Sequence, residues 1–291
     1  MHWASAEPLG VPRDGSRDVN SLTLLGVYSV GIVAASVIGI WVQSVIRLTH
    51  TRVQLAMSFV AGLVIGVAMY HLLPHGFERI AGESAIEVAV WWMLVGIVLM
   101  VLLLRVFPLH QHDQAEEECE PHGRDSGVDS PSLNWLGIAF GMGLHGLTEG
   151  TALGAAVLSR GGDLAGVDLV SFGVFLAIVL HKPLDAFVLL GMMRVAGLGK
   201  RYAYVLSVVT ALICPLGAFV AFWGIGLLAT PADETIGRAL AFGAGALVCI
   251  SLSDLLPEIH FHRHDRFKLT VAFIVGLALA YALHVFENSP H

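Results

Sequence analysis

Eight stretches of this chain, each about 20 residues or longer and nearly free of charge, dictate what it can fold into: roughly 21–46, 54–77, 86–107, 134–158, 167–193, 202–228, 236–258 and 269–287. The hydrocarbon core of a bilayer takes about 20 apolar residues per helix, and a helix satisfies its own backbone there without water. Strands of a membrane barrel alternate in character over about ten residues, and none of these stretches does so. The first is longer than the apolar core of a signal peptide, about 7–15 residues, so it reads as a retained helix. The expected fold is all-α, a polytopic bundle of eight transmembrane helices forming one domain. Composition agrees, since 56% of the 291 residues are hydrophobic and only 13% charged, outside the usual range of a soluble domain.

Basic residues orient the bundle. The connections after the first, third, fifth and seventh spans carry Arg47, Arg52, Arg105, Arg124, Arg194, Lys200, Arg201, Arg263, Arg266 and Lys268, against Arg13, Arg17, Arg79, Arg160 and Arg238 on the other side. Lys and Arg near helix ends are enriched on the cytoplasmic side, so both termini are expected outside it, in a plasma or inner membrane. Lys182 is left inside a span. The segment 108–133 is acidic and lacks apolar periodicity, which predicts a flexible cytoplasmic loop. Its His110, His112, Cys119 and His122 could capture a soft ion, but a solvated loop is the simpler reading. No nucleic-acid partner is expected.

Ionisable groups in a span cost roughly 2.5–3.5 kcal/mol each at the helix centre, so they mark function by default. Here they come in pairs. "HGLTEG" puts His145 and Glu149 in the fourth span, and "HKPLDAF" puts His181 and Asp185 in the fifth. Residues at i and i+4 share a helical face about 6 Å apart, so each helix offers one imidazole and one carboxylate at mid-depth. The sixth span is interrupted at the same level by "CPLG", with Cys214 and Pro215. Mixed nitrogen, oxygen and sulfur donors suit Zn²⁺ and its first-row neighbours, whereas Mg²⁺ and Ca²⁺ prefer oxygen. Cys214 can equally be packing, and an isolated His284 reads as an interhelical hydrogen bond.

Two further segments lie at opposite mouths. "HLLPH" places His71 and His75 on one face at the outer end of the second span, and Pro74 frees a carbonyl that can line a wet cavity. "DLLPE" places Asp254 and Glu258 on one face at the cytoplasmic end of the seventh, followed by His260, His262 and His264. They read as an entrance and an exit, with interfacial anchoring as the alternative. Gly62 and Gly66, or Gly150 and Gly154, allow close helix contact.

At these residues the chain resembles the ZIP (Zrt/Irt-like protein) family of divalent metal transporters. "HGLTEG" is similar to the family's helix-4 motif, and "HKPLDAF" to the branch of its helix-5 motif that begins His-Lys. The resemblance implies eight helices, outward termini, a variable loop after the third helix, and a principal metal site of His145, Glu149, His181 and Asp185. Many members carry a bridging carboxylate where this chain has Lys182; a charged ammonium has no lone pair and cannot ligate. Lys182 is therefore expected to occupy the place of a second ion, leaving a mononuclear site. Gly146 and Thr148 replace the commoner Asn and Pro, and Cys214 stands where many members have a Glu, so that ligand is either exchanged for sulfur or absent.

The function expected is transport of divalent cations into the cytoplasm, Zn²⁺ first and Cd²⁺, Fe²⁺ and Mn²⁺ behind it. Metal ions and membrane lipids are the partners, with a homodimer allowed. The chain is not expected to be an enzyme. The rival from another class is an intramembrane zinc hydrolase, for which HxxxH and a carboxylate base would serve; no HExxH or nucleophilic Ser motif accompanies them. A metal sensor is the third reading.

Overall fold

The computed structural model describes residues 15–45, 50–106, 135–159, 163–164, 167–225, 227, 232–255 and 266–287. Apart from a two-stranded antiparallel hairpin, Asp163–Leu164 against Val167–Asp168, and short turns between elements, these residues are helical. The helices are α1 (Gly15–Val45), α2 (His50–Val67), α3 (Leu73–Arg79), α4 (Ala85–Val106), α5 (Trp135–Ser159), α6 (Leu169–Val195), α7 (Lys200–Ala211), α8 (Ile213–Ile225), α9 (Ala232–Ile250) and α10 (Arg266–Glu287). All lie within the stretches marked by hydropathy, give or take their ends. Seven described helices are long and apolar enough to cross a membrane, so the chain is a membrane-embedded helical bundle. The exception is α5, which has the length but trades apolar residues for His145, Glu149, three Thr and Ser residues and six glycines.

Proline shapes the interruptions. Between α2 and α3 the chain winds into a π turn, Ala68–Leu72, in which the Leu73 amide donates to the Ala68 carbonyl. Pro74 follows; it brings no N–H to the ladder and its ring crowds the carbonyl four residues back, and the wider turn accommodates both. The other "LLP" segment behaves alike, with a π turn at Ser251–Leu255 ahead of Pro257. The sixth span divides at Leu212, a single turn residue between α7 and α8, just before Pro215.

The main packing pairs are α5 with α8, α2 with α10, α4 with α9 and α1 with α6. Small residues set their closeness. A Cβ on Gly150 would collide with the Cys214 carbonyl and sit 2.8 Å from the Ala218 amide, and one on Gly62 would collide with the Phe273 carbonyl. Lipid tails are as apolar as Leu, so backbone contact of this kind, rather than burial from water, holds such helices together. A buried core of Leu25, Leu63, Leu72, Leu153, Ile178 and Leu247 fills the centre. Large apolar side chains such as Trp41, Trp91, Phe140 and Trp223 face outward, as a lipid-facing surface requires.

Candidate metal centre

α5 and α6 run beside each other and turn their polar faces inward at the same level. His145, Glu149 and His181 are almost fully buried, and the Asp185 side chain is 17% exposed. One ligand atom from each of the four lies within 4.8 Å of all the others. His145 Nε2 stands 3.1 Å from Glu149 Oε1 and 3.5 Å from Asp185 Oδ2. His181 Nε2 contacts Glu149 Oε1 and is 3.7 Å from Asp185 Oδ2. Zinc ligands sit about 2.0–2.2 Å from the ion, so the edges of a tetrahedral shell are roughly 3.3 Å; these separations bracket that value.

Protons and partners fit the same use. His181 Nδ1–H donates to the Ala177 carbonyl at 2.7 Å, which fixes the tautomer and aims the Nε2 lone pair at the carboxylates. Metal-bound histidines are usually held in this way. His145 Nε2 faces the Glu149 and Asp185 oxygens, while its Nδ1 is buried without a hydrogen-bond partner. Among the described residues this quartet is the only group of three or more such side chains with ligand atoms this close together.

Lys182 enters the same cluster from one residue along α6. Its ammonium contacts Glu149 Oε2 and stands 3.2 Å from Asp185 Oδ2. Gly146 lies beside it, and a Cβ there would make ordinary contacts, 4.0 Å from Lys182 Nζ and 3.8 Å from the Cys214 Cβ. Cys214 is buried beside the cluster and unoxidised, but it is not one of the four mutually close ligands. Thr148, standing for the commoner Pro, donates to the His145 carbonyl at 2.7 Å.

Beyond Lys182 and Asp185, toward the C-terminal end of α6, lies a cavity of about 20 Å³ bordered by Ser36, Met142, Ser207 and Thr210, room for about one water. These hydroxyls escaped the sequence reading: each donates to a carbonyl of its own helix, and a short Ser or Thr in an apolar run gives no periodic signal.

His71 and His75 are not part of the centre. Both reach Glu287, at the end of α10, which sequence reasoning passed over. The expected His284 lies against the rings of Tyr70 and His71, with centroids 5.8 and 5.9 Å away. Asp254 belongs to the π turn Ser251–Leu255, but its side chain, together with Glu258, His260 and the 108–133 loop, lies outside the described residues.

Residues 108–284 match the family described as ZIP zinc transporter. The chain belongs to the ZIP family. This ZIP protein is 25% identical to zinc transporter ZupT of Chlorobaculum parvum over 274 residues, covering 91% of its own length and 96% of the relative's. It is 28% identical to zinc transporter ZupT of Chlorobium phaeovibrioides over 89% of its length and 93% of that protein's. It is 24% identical to zinc transporter ZIP9-B of Xenopus laevis, over 85% and 89%.

Proposed function

We propose that this ZIP protein carries divalent transition-metal cations, Zn²⁺ foremost, across the membrane into the cytoplasm. The observation that carries the reading is the buried quartet of His145, Glu149, His181 and Asp185, whose separations suit a four-coordinate ion. Its donors are mixed nitrogen and oxygen, which favour Zn²⁺ over Mg²⁺ or Ca²⁺; Cd²⁺, Fe²⁺ and Mn²⁺ are secondary cargo. α5 is the eighth span, and its low apolarity follows from the site it carries. The distribution of the basic residues named above supports termini outside the cytoplasm, in a plasma or inner membrane, and the protein is free to pair as a homodimer.

The ion enters past His71 and His75 and leaves toward Asp254, Glu258 and His260. The small cavity on the α6 C-terminal side, next to the partly exposed Asp185, supports release in that direction. Lys182 makes the site mononuclear and lowers its affinity. With neutral imidazoles, the two carboxylates and the ammonium sum to one negative charge, so a divalent ion leaves a net positive charge behind. Transport needs this compromise between admitting an ion and letting it go. Cys214 packs beside the site rather than filling the first coordination sphere. The single domain keeps 108–133 as a cytoplasmic loop. The hydrolase reading finds no support in the relatives, each of which is named a zinc transporter.

The test is uptake of Zn²⁺ into liposomes holding the purified protein. Glu149→Ala and His181→Ala, inserted in normal amount, are expected to lose uptake; parental rates in both would refute the reading.

A further inference from the structure

A second polar feature lies away from the quartet, where α4 and α9 begin. The two helices run in the same direction and touch through glycines: a Cβ on Gly96 would collide with the Phe242 carbonyl, and one on Gly245 with the Met93 carbonyl. Nearer their N-terminal ends they frame an open groove of about 530 Å³, bordered by Ser84, Glu87, Val88, Trp91 and Trp92 on one side and by Arg238 on the other. Arg238 stands six residues past the start of α9, about 9 Å along it at about 1.5 Å per residue, inside an apolar span. Half-buried Trp92 packs on the small core of Ile80, Ala85, Ala89 and Ala241, which gives the groove a fixed floor.

An arginine within a span is costly and calls for partners. Arg238 Nη2 contacts Glu234, one turn back on α9, while its Nε–H is buried with no hydrogen-bond partner. A guanidinium has five N–H donors, so this one pair leaves most of them unused. Across the groove Glu87 is exposed and forms no ion pair among the described residues. The neighbouring Arg79 and Asp233 neutralise each other at 2.7 Å. Arg238 against Glu87 and Glu234 then sums to one negative charge, which repels a purely anionic ligand. A ligand with both signs meets an opposite charge on each wall.

The direction in which the groove opens says what kind of ligand reaches it. Along α4, Ile86, Val90, Leu94 and Val98 are exposed and recur every four residues, so they form one apolar ridge leading from the groove down the span. Trp91, 64% exposed, stands at the rim, and tryptophan settles at the level of lipid headgroups. We propose that the groove seats the headgroup of a phosphatidylethanolamine lipid, with the phosphate on Arg238, the ammonium on Glu87 and Ser84, and an acyl chain along the α4 ridge. Arginine suits phosphate through its planar fork of donors. A primary ammonium has three N–H donors for the carboxylate and the hydroxyl; a quaternary one has none. Such a lipid bridges α4 and α9 far from the quartet, and the inference does not depend on the transport reading.

The test is native mass spectrometry of the full-length protein, titrated in detergent with phosphatidylethanolamine, phosphatidylcholine or phosphatidylglycerol of identical acyl chains. The ethanolamine lipid is expected to bind at least about fivefold more tightly than either of the others. Glu87→Gln is expected to erase its advantage over the choline lipid, and Arg238→Gln to weaken all three. Equal binding of the three lipids, an ethanolamine advantage that survives Glu87→Gln, or unchanged binding in Arg238→Gln overturns the proposal. A preference for the glycerol lipid would reveal a plain cationic patch, and one for the choline lipid an aromatic cage; either overturns it. Should Arg238→Gln fail to fold for want of the Glu234 contact, Glu87→Gln decides alone, since it alters an exposed side chain. A second copy seated on the groove would show as dimers that take up no lipid, which also overturns the proposal.

Discussion

Lys182 and Glu149 sit on neighbouring helices and meet through Glu149 Oε2, while the other oxygen of that carboxylate contacts His181. One carboxylate is thus divided between a fixed cation and the place of a mobile one. Removing the fixed charge leaves both carboxylates to the ion. Lys182→Met is therefore expected to retain Zn²⁺ at least about tenfold more tightly; tenfold is about 1.4 kcal/mol, a fraction of the about 4 kcal/mol of a unit charge pair at 4 Å and an effective dielectric of 20. Uptake is expected to slow in the same variant, because release becomes the harder step. Equilibrium dialysis against a chelator and liposome flux measure the two sides separately.

The four ligands need not contribute equally. Asp185 is the most exposed of them and lies nearest the small cavity, so Asp185→Asn is expected to keep partial binding, whereas His145→Ala or Glu149→Ala removes it. Isothermal titration of the purified variants with Zn²⁺ would show this ranking; a milder loss for Glu149→Ala than for Asp185→Asn would contradict it.

Cys214 offers a clean negative. Its sulfur is absent from the mutually close ligand group, so Cys214→Ala is expected to change Zn²⁺ affinity by less than about threefold while keeping the α5–α8 contact. The same titration decides. A large loss would mean that sulfur joins the coordination sphere once an ion is present.

Gly150 meets the α8 backbone where no side chain fits. Gly150→Leu is expected to force α5 and α8 apart and to cut the yield of monodisperse protein severely, since overpacking at such contacts costs about 1–3 kcal/mol or more. Gly224, with nothing within 4 Å of a Cβ, is the control: Gly224→Ala should leave yield and thermal stability unchanged. Fluorescence-detected size exclusion would compare them.

What the sequence made legible, and what it did not, divides by distance along the chain. The His145/Glu149 and His181/Asp185 pairs announce themselves because four residues of helix bring each pair onto one face. Their depth, counted in residues from the span ends, was enough to set the two pairs level. Glu287 gave no such sign. It ends a helix among polar residues, where a carboxylate is ordinary, and its partners His71 and His75 lie more than two hundred positions away. Only the pairing of α2 with α10, fixed by the fit of Gly62 and Gly66 against Phe273, Leu277 and Ala280, brings them together. Lys182 was legible as a misplaced charge, but not its grip on two carboxylates at once.

The polarity of α5 has a consequence for how the protein is made. A segment with a histidine, a glutamate and many glycines gains little from lipid on its own, so its residence in the bilayer depends on neighbours that shield its inner face. With the function proposed above, cargo chemistry and biogenesis are tied together: the stretch proposed to recognise the ion is the stretch that waits for its companions before it can settle.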